Sequence, residues 1–165
     1  MIHIYHGNGK GKTTASVGLA IRAAGAGLRV VFVQFLKNGS SSEIKILKNF
    51  VQVEYCQECN KFTFQMNDEE KAVVTKKHNQ MIEKAFESGA DVIILDEFID
   101  AYNKKMVDRK LSEKLISENK ETAEIILTGR DPAKIFTEQA DYISEITAVR
   151  HPYKKGVTAR KGIEY

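Results

Sequence analysis

The sequence predicts an α/β fold, a mainly parallel sheet with helices on both faces. Three observations predict it. Short apolar runs alternate with helical patterns from one end of the chain to the other, as in proteins whose strands are joined by crossover helices. The run Leu28–Phe35 is almost continuously apolar, as a strand covered on both faces should be. The first strand leads into a glycine-rich loop, Gly7-Asn8-Gly9-Lys10-Gly11-Lys12-Thr13-Thr14, and that loop opens a helix. At 165 residues the chain is expected to form one domain, residues 1–165, large enough to bury a core.

Taken in order, Ile2–Tyr5 is a strand. Thr13–Ala24 is a helix with Val17, Ala20, Ile21 and Ala24 on one side, ended by Gly25 and Gly27. Leu28–Phe35 is the buried strand, Lys37–Ser42 a loop, Ile44–Lys48 a short helix and Val51–Tyr55 a strand. Asn67 or Asp68 caps a long helix, and Glu70 completes a capping box if Asn67 is the cap. Val74, Met81, Ile82, Ala85 and Phe86 form its apolar stripe, and Gly89 ends it. Val92–Leu95 is a strand, Leu111–Glu118 a helix and Glu124–Leu127 a strand. Pro132–Gln139 reads as a helix with proline in its first turn, and Tyr142–Val149 as the last strand. No repeat, low-complexity tract or linker interrupts the pattern. Asn38–Met66 is the least regular stretch, and in a parallel sheet such a segment often shapes the ligand site.

The loop between the first strand and helix carries the strongest chemical signal. Glycines let the backbone turn its N–H groups towards phosphate oxygens, Lys12 reaches the outer phosphates, and the Thr13 hydroxyl suits Mg²⁺. The helix behind it adds the positive end of its dipole. The fold class sharpens accordingly to a P-loop NTPase-like, RecA-like sheet. The usual spacing places glycine five residues before Gly11, where this chain has His6; Gly7 and Gly9 stand inside the loop instead.

Two further strand ends carry polar groups. Val92-Ile93-Ile94-Leu95 runs into Asp96-Glu97, two carboxylates that can hold Mg²⁺ beside Thr13; the alternative is a solvated strand end. Ile125-Ile126-Leu127 runs into Thr128-Gly129-Arg130. A guanidinium there can grip phosphate or ribose oxygens, and a surface salt bridge explains it equally well. Phe62-Thr63-Phe64 in the irregular stretch reads, by itself, as core or a short strand. Cys56-Gln57-Glu58-Cys59 has no second cysteine or histidine pair with zinc spacing, and His3, His6, His78 and His151 share no metal spacing, so the two thiols are expected to be incidental. Lys154, Lys155, Arg160 and Lys161 make a basic tail of the kind that is usually solvated.

Composition narrows the field. Hydrophobic residues are 42% and charged residues 28%, with a net charge of +3, ordinary values for a globular protein. The charge is too mild to argue for nucleic acid, and only the tail is basic. Two cysteines do not build a secreted disulfide scaffold. The phosphate loop starts before a signal peptide could form, and no apolar run approaches membrane-spanning length. A cytoplasmic location, with no membrane and no nucleic-acid partner, is expected.

Together the motifs resemble the P-loop type of cob(I)alamin (corrinoid) adenosyltransferase. The matching stretches are His6–Thr14, Val33-Gln34-Phe35-Leu36-Lys37, Phe62-Thr63-Phe64, Ile94-Leu95-Asp96-Glu97, Leu127-Thr128-Gly129-Arg130 and the closing run Gly156–Tyr165. The resemblance implies an attack of Co(I) of a bound corrinoid on C5′ of ATP, with triphosphate leaving. The nucleophile is the metal of the substrate, so no protein base is required, and the protein positions the reactants and neutralises the leaving group.

By position, the resemblance implies that Gly7, Asn8, Gly9, Lys10, Gly11, Lys12, Thr13 and Thr14 bind the triphosphate, with Arg22 and Arg130 as further contacts to ATP. Thr13, Glu97 and Asp96 would hold Mg²⁺, with Mn²⁺ as a possible substitute. Lys12, Phe62 and Phe64 would carry the catalytic roles, the two aromatics by pressing on the lower corrin face and excluding its axial ligand. Some relatives carry Trp where this chain has Phe64, and relatives often have a segment before the first strand that helps cover the corrinoid, whereas here Met1 begins that strand. A homodimer and an electron donor such as a flavoprotein are also implied. A P-loop kinase using Asp96 or Glu97 as base, or an ATPase, are the other readings of the same residues.

Overall fold

The computed structural model describes residues 1–165. Six strands form one sheet: β1 Ile2–His6, β2 Val30–Gln34, β3 Gln52–Tyr55, β4 Val92–Asp96, β5 Glu124–Gly129 and β6 Tyr142–Glu145. Their order is β3-β2-β4-β5-β1-β6, and every pairing is parallel. The four inner strands are the ones that read as apolar runs, and β2 and β4 are buried along their whole length. The edge strand β6 is exposed throughout.

Alternation along the strands builds two cores. On one face, Ile2, Ile4, Val31, Val33, Ile93, Leu95, Ile125 and Leu127 pack with Met81, Ile82, Phe98 and Phe136. These come from helices α3 Asp68–Glu87, α4 Phe98–Asn103 and α6 Lys134–Thr137. Helix α5 Arg109–Asn119 adds Ile116. On the other face, Val30, Phe32, Val92, Ile94 and Ile126 meet Ala20 and Ala23 of α1 Lys12–Gly25, and Ile44 and Leu47 of α2 Ser42–Leu47.

Several elements differ from the sequence reading. The buried side of α1 is Ser16, Ala20 and Ala23, while Ile21 is exposed; small side chains let the helix lie close to the sheet. The expected helix Pro132–Gln139 is one turn, Lys134–Thr137, and the last strand stops at Glu145 instead of Val149. Helix α4 was not expected. Glu97 adopts a left-handed conformation (φ 59°) and turns the chain from strand to helix within one residue, and six residues are too few to display a helical period. In α3 the predicted capping box is present. Asn67 Oδ1 accepts from the Glu70 N–H at 2.8 Å, and Glu70 Oε2 accepts from the Asn67 N–H at 3.0 Å. No helix is long and apolar enough to cross a membrane.

Candidate active site

The parallel sheet brings the C-terminal ends of β1, β2, β4 and β5 to one edge, where ligands of open α/β sheets bind. The phosphate loop leaves β1 there and is braced from behind by the chain following β6. The Gly9 N–H donates to the Ile146 carbonyl at 2.7 Å, and Asn8 Oδ1 accepts from the Ala148 N–H at 2.8 Å. This bracing accounts for the glycine spacing. His6 is still within the sheet, in register with Gly129 and Glu145, so its position needs no glycine. The demand moves inward: a Cβ on Gly7 (φ 114°) would stand 2.5 Å from the Ile146 oxygen, and one on Gly9 2.6 Å from it. Lys12 folds back on the loop, donating to the Gly9 carbonyl at 2.9 Å. Burial holds its pKa below the ordinary lysine value; Arg130 adds to that effect, while Glu97, Asp100 and Asp96 oppose it.

Asp96 is fully buried, and both its oxygens are engaged. Oδ1 accepts from the Thr13 hydroxyl at 2.9 Å and the Thr128 hydroxyl at 2.8 Å. Oδ2 accepts from Gln34 Nε2 at 3.3 Å and lies 3.5 Å from the Lys37 ammonium. That ammonium is also 3.5 Å from Glu97 Oε1. Burial pulls Lys37 down, but Asp96, Glu97 and Glu43 outweigh it and hold its pKa above the usual value. Glu97 is likewise raised, by burial first and by Asp96 second.

This cluster suits a hard divalent cation. Thr13, Asp96 and Glu97 offer oxygen donors only. A cationic group already stands between the two carboxylates in the form of Lys37. Gln34 Oε1 is the one buried side-chain polar atom without a partner, as an oxygen facing a hydrated ion would be.

Arg130 follows Gly129 at the end of β5. Its side chain makes no ion pair; Asp100 Oδ2 takes its backbone N–H instead, at 2.9 Å. Arg130 therefore lines a cleft of about 260 Å³ with Asn8–Thr14, Lys37, Glu97, His151, Ile163 and Glu164. The C-terminal segment, read from sequence as a solvated tail, closes this cleft. Ser42 donates to the Tyr165 carbonyl at 3.1 Å, and Arg160 pairs with Glu164 at 2.9 Å, holding the Glu164 carboxyl down at about 2. A second cleft of about 490 Å³, lined by Thr13, Thr14, Val17, Ile46 and Tyr165 among others, continues along α1. Arg22 is not brought to the loop. It is exposed in the last turn of α1, ten residues and so roughly 15 Å along the helix from Lys12.

Phe62 and Phe64 are neither core nor strand. Phe62 caps a single 3-10 turn, Thr63–Gln65, and Phe64 lies within it; they are 71% and 82% exposed. Their rings stack, with centroids 5.5 Å apart and planes 8° from parallel. Phe62 lines a third cleft with Leu36, Lys37 and Asn38, so Lys37 borders both the phosphate loop and the aromatic pair. The two thiols, expected to be incidental, lie beside a histidine. Cys56, Cys59 and His78 are buried together, their ligand atoms all within 4.8 Å of one another. The hydrogen bond from Cys59 holds the Cys56 thiol down at about 6, and the same contact, with burial, pushes Cys59 up.

The whole chain, residues 1–165, matches the family described as ATP:corrinoid adenosyltransferase BtuR/CobO/CobP. The chain belongs to that family. Curated relatives agree over their full alignment. The corrinoid adenosyltransferase of Escherichia coli K12 is 31% identical over 100% of this chain and 85% of its own length. Corrinoid adenosyltransferase CobA of Salmonella typhimurium gives the same identity and coverage. The Pseudomonas aeruginosa corrinoid adenosyltransferase is 29% identical over 98% of this chain and 82% of its own. The reaction of the family transfers the adenosyl group of ATP to a corrinoid, the step that makes adenosylcobalamin. In this adenosyltransferase, Lys37, Gln34, Thr128 and Glu164 also belong to the site's geometry, which their spacing in the sequence does not reveal. All four lie in stretches that resemble the family, and Lys37 and Gln34 meet Asp96 only because β2 and β4 are set side by side.

Proposed function

We propose that the enzyme binds ATP in the phosphate loop and the corrinoid against the Phe62–Phe64 pair, with Lys37 at the junction. The observation that carries this reading is the exposed, stacked aromatic pair opening beside the same lysine that borders the phosphate loop. Two phenylalanines standing in water are a binding surface for a flat apolar ring system, not a core.

Lys12, the loop amides and Arg130 neutralise the triphosphate as the C5′–O bond breaks. Asn8 and Lys10 stand at the loop's mouth, and Gly7, Gly9, Gly11 and Thr14 shape its wall. Arg22 enters as an adenosine contact if the nucleoside end runs along α1, in the direction the second cleft takes. Thr13, Asp96 and Glu97 would hold Mg²⁺, with Mn²⁺ as an alternative; when bound, the ion supplies further charge neutralisation to the triphosphate. Phe62 and Phe64 press on the lower corrin face and keep out the axial ligand, which makes the cobalt easier to reduce before it attacks C5′. The difficult chemistry is the corrinoid's, and the chain tunes and positions it.

The kinase alternative is weakened by Asp96 and Glu97. Asp96 accepts from two hydroxyls and an amide and lies beside an ammonium, and Glu97 faces Lys37, so both carboxylates are turned towards cationic and donor groups, as ligands of a cation are, and not towards an acceptor hydroxyl. A cytoplasmic location, an electron donor such as a flavoprotein and a homodimer complete the reading; the exposed edge strand β6 is a surface on which a second copy could pair. The test is an anaerobic assay with ATP, Mg²⁺, a strong reductant and cobalamin. A light-sensitive Co–C spectrum appearing with triphosphate is expected. ADP without spectral change would overturn the reading.

A further inference from the structure

Cys56 and Cys59 follow β3 on the loop that leads to the aromatic arm, and His78 lies in the middle of α3. His78 Nδ1 is 2.7 Å from the Met106 carbonyl oxygen, so it carries the proton and donates. That leaves the Nε2 lone pair facing inward, 3.6 Å from Cys59 Sγ and 3.4 Å from the Leu36 N–H. Neither contact is a strong hydrogen bond. A ring fixed by its other nitrogen to a backbone carbonyl is the usual posture of a metal-binding histidine. Ligand atoms of a tetrahedral zinc, at roughly 2.0–2.3 Å from the ion, stand roughly 3.3–3.8 Å from one another, and the Cys59–His78 separation falls in that interval.

We propose that Cys56, Cys59 and His78 form a buried binding site for a thiophilic divalent cation, zinc above all, that clamps the loop carrying Phe62 and Phe64 onto α3. Two thiolates and a neutral imidazole around a divalent ion make a site of zero net charge, which is what an apolar interior requires. Two thiols lose their protons on binding. Thiolate and imidazole ligands select zinc over the hard ions suited to Asp96 and Glu97. The fourth position is open to water, which keeps that charge at zero, and Glu58 Oε2, 3.5 Å from Cys56 Sγ, stands beside it as a neighbour. A simple disulfide switch would leave the orientation of His78 unexplained, and both sulfurs are shielded from solvent. The clamp joins three segments that the sheet alone does not tie: the exit of β3, the middle of α3 and, through Met106, the turn before α5. The proposal does not depend on which substrates the enzyme uses.

The test is elemental analysis of the full chain, grown with zinc and purified under reductant without chelator, alongside Co²⁺ titration of metal-free protein. The expected result is about one zinc per chain and, with cobalt, thiolate-to-metal charge-transfer bands of a four-coordinate site. Cys56→Ser, Cys59→Ser and His78→Gln should each lower metal affinity at least tenfold. Circular dichroism identifies any variant that fails to fold, and a folded cysteine variant suffices for the comparison. On zinc removal, amide exchange across residues 56–66 should speed up while that of the phosphate loop stays unchanged. Two freely titrating thiols with no uptake of zinc or cobalt would overturn the proposal. So would a Cys56–Cys59 disulfide in anaerobically purified protein, or full metal content in both serine variants.

Discussion

The phosphate loop and the Phe62–Phe64 arm flank the same lysine and are built in opposite ways. The loop is tied by backbone and side-chain bonds to Ile146 and Ala148, and beside it lies the buried carboxylate of Asp96 with both oxygens occupied. The arm has one 3-10 turn, two exposed rings and a lysine–glutamate pair, Lys61–Glu70, at 2.5 Å. Triphosphate recognition needs donors fixed in advance, because preorganised charge acts without reorganisation. On the proposed function, a flat corrin is met by rings that have little else to hold, provided the base of the arm is fixed. On the same proposed function, the difference separates residues whose loss harms chemistry, residues whose loss harms the fold and residues whose loss harms only the second substrate.

The largest effect is expected on the loop side. Lys12→Ala should lower turnover by about 10²–10³-fold with an unchanged melting temperature, measured by the cobalamin assay and calorimetry. A turnover within a few-fold of wild type would remove the loop's role in charge neutralisation. Asp96→Asn should be costly in both respects. The amide cannot accept from four donors at once, and a loss of about 2–4 kcal/mol in stability is expected from denaturant unfolding. On the arm, Phe62→Ala and Phe64→Ala should slow reduction of bound Co(II) markedly yet leave stability within about 0.5 kcal/mol, as for exposed positions. A large drop in melting temperature would mean that the rings are structural after all.

Acidity offers a finer test. The Glu97 carboxyl is raised in the folded chain, so the folded state takes up a proton more readily than the unfolded one. Between the two pKa values, stability therefore rises as pH falls. Cation binding goes the other way, because protonation removes a ligand. Magnesium affinity in the presence of ATP should weaken as pH falls through the raised value, and Glu97→Gln should flatten that dependence. The smallest effect is expected at the foot of the arm, where Asn67→Ala should cost about 1 kcal/mol through the lost cap of α3.

The loop and the strand ends were legible because their signals are local. Gly7–Thr14 is one continuous segment, Asp96-Glu97 and Thr128-Gly129-Arg130 sit at the ends of apolar runs, and the α3 cap is four residues long. What was not legible depends on chain segments meeting at a distance. Lys37 becomes part of the site only because β2 pairs with β4, and the C-terminal segment closes the cleft only because it folds back to Ser42. The Cys56–Cys59–His78 cluster spans a strand exit and a helix, so no spacing rule could find it. A signal did exist: His78 occupies the stripe position four residues after Val74 and four before Ile82, where the helix otherwise buries apolar residues. The aromatic pair read as core from composition alone, and its exposure follows from the short turn that leaves both rings outside.

The most direct test of a divided site is to measure binding of the two substrates separately in Lys12→Ala and in the Phe62→Ala/Phe64→Ala double variant. Calorimetry would follow ATP with Mg²⁺, and the visible spectrum would follow Co(II) cobalamin. The division predicts that the lysine variant loses ATP affinity and keeps the corrinoid, and that the double phenylalanine variant does the reverse. Joint loss of both affinities in the phenylalanine variant, or no loss of corrinoid affinity in it, would contradict the claim that these rings are the corrinoid's seat.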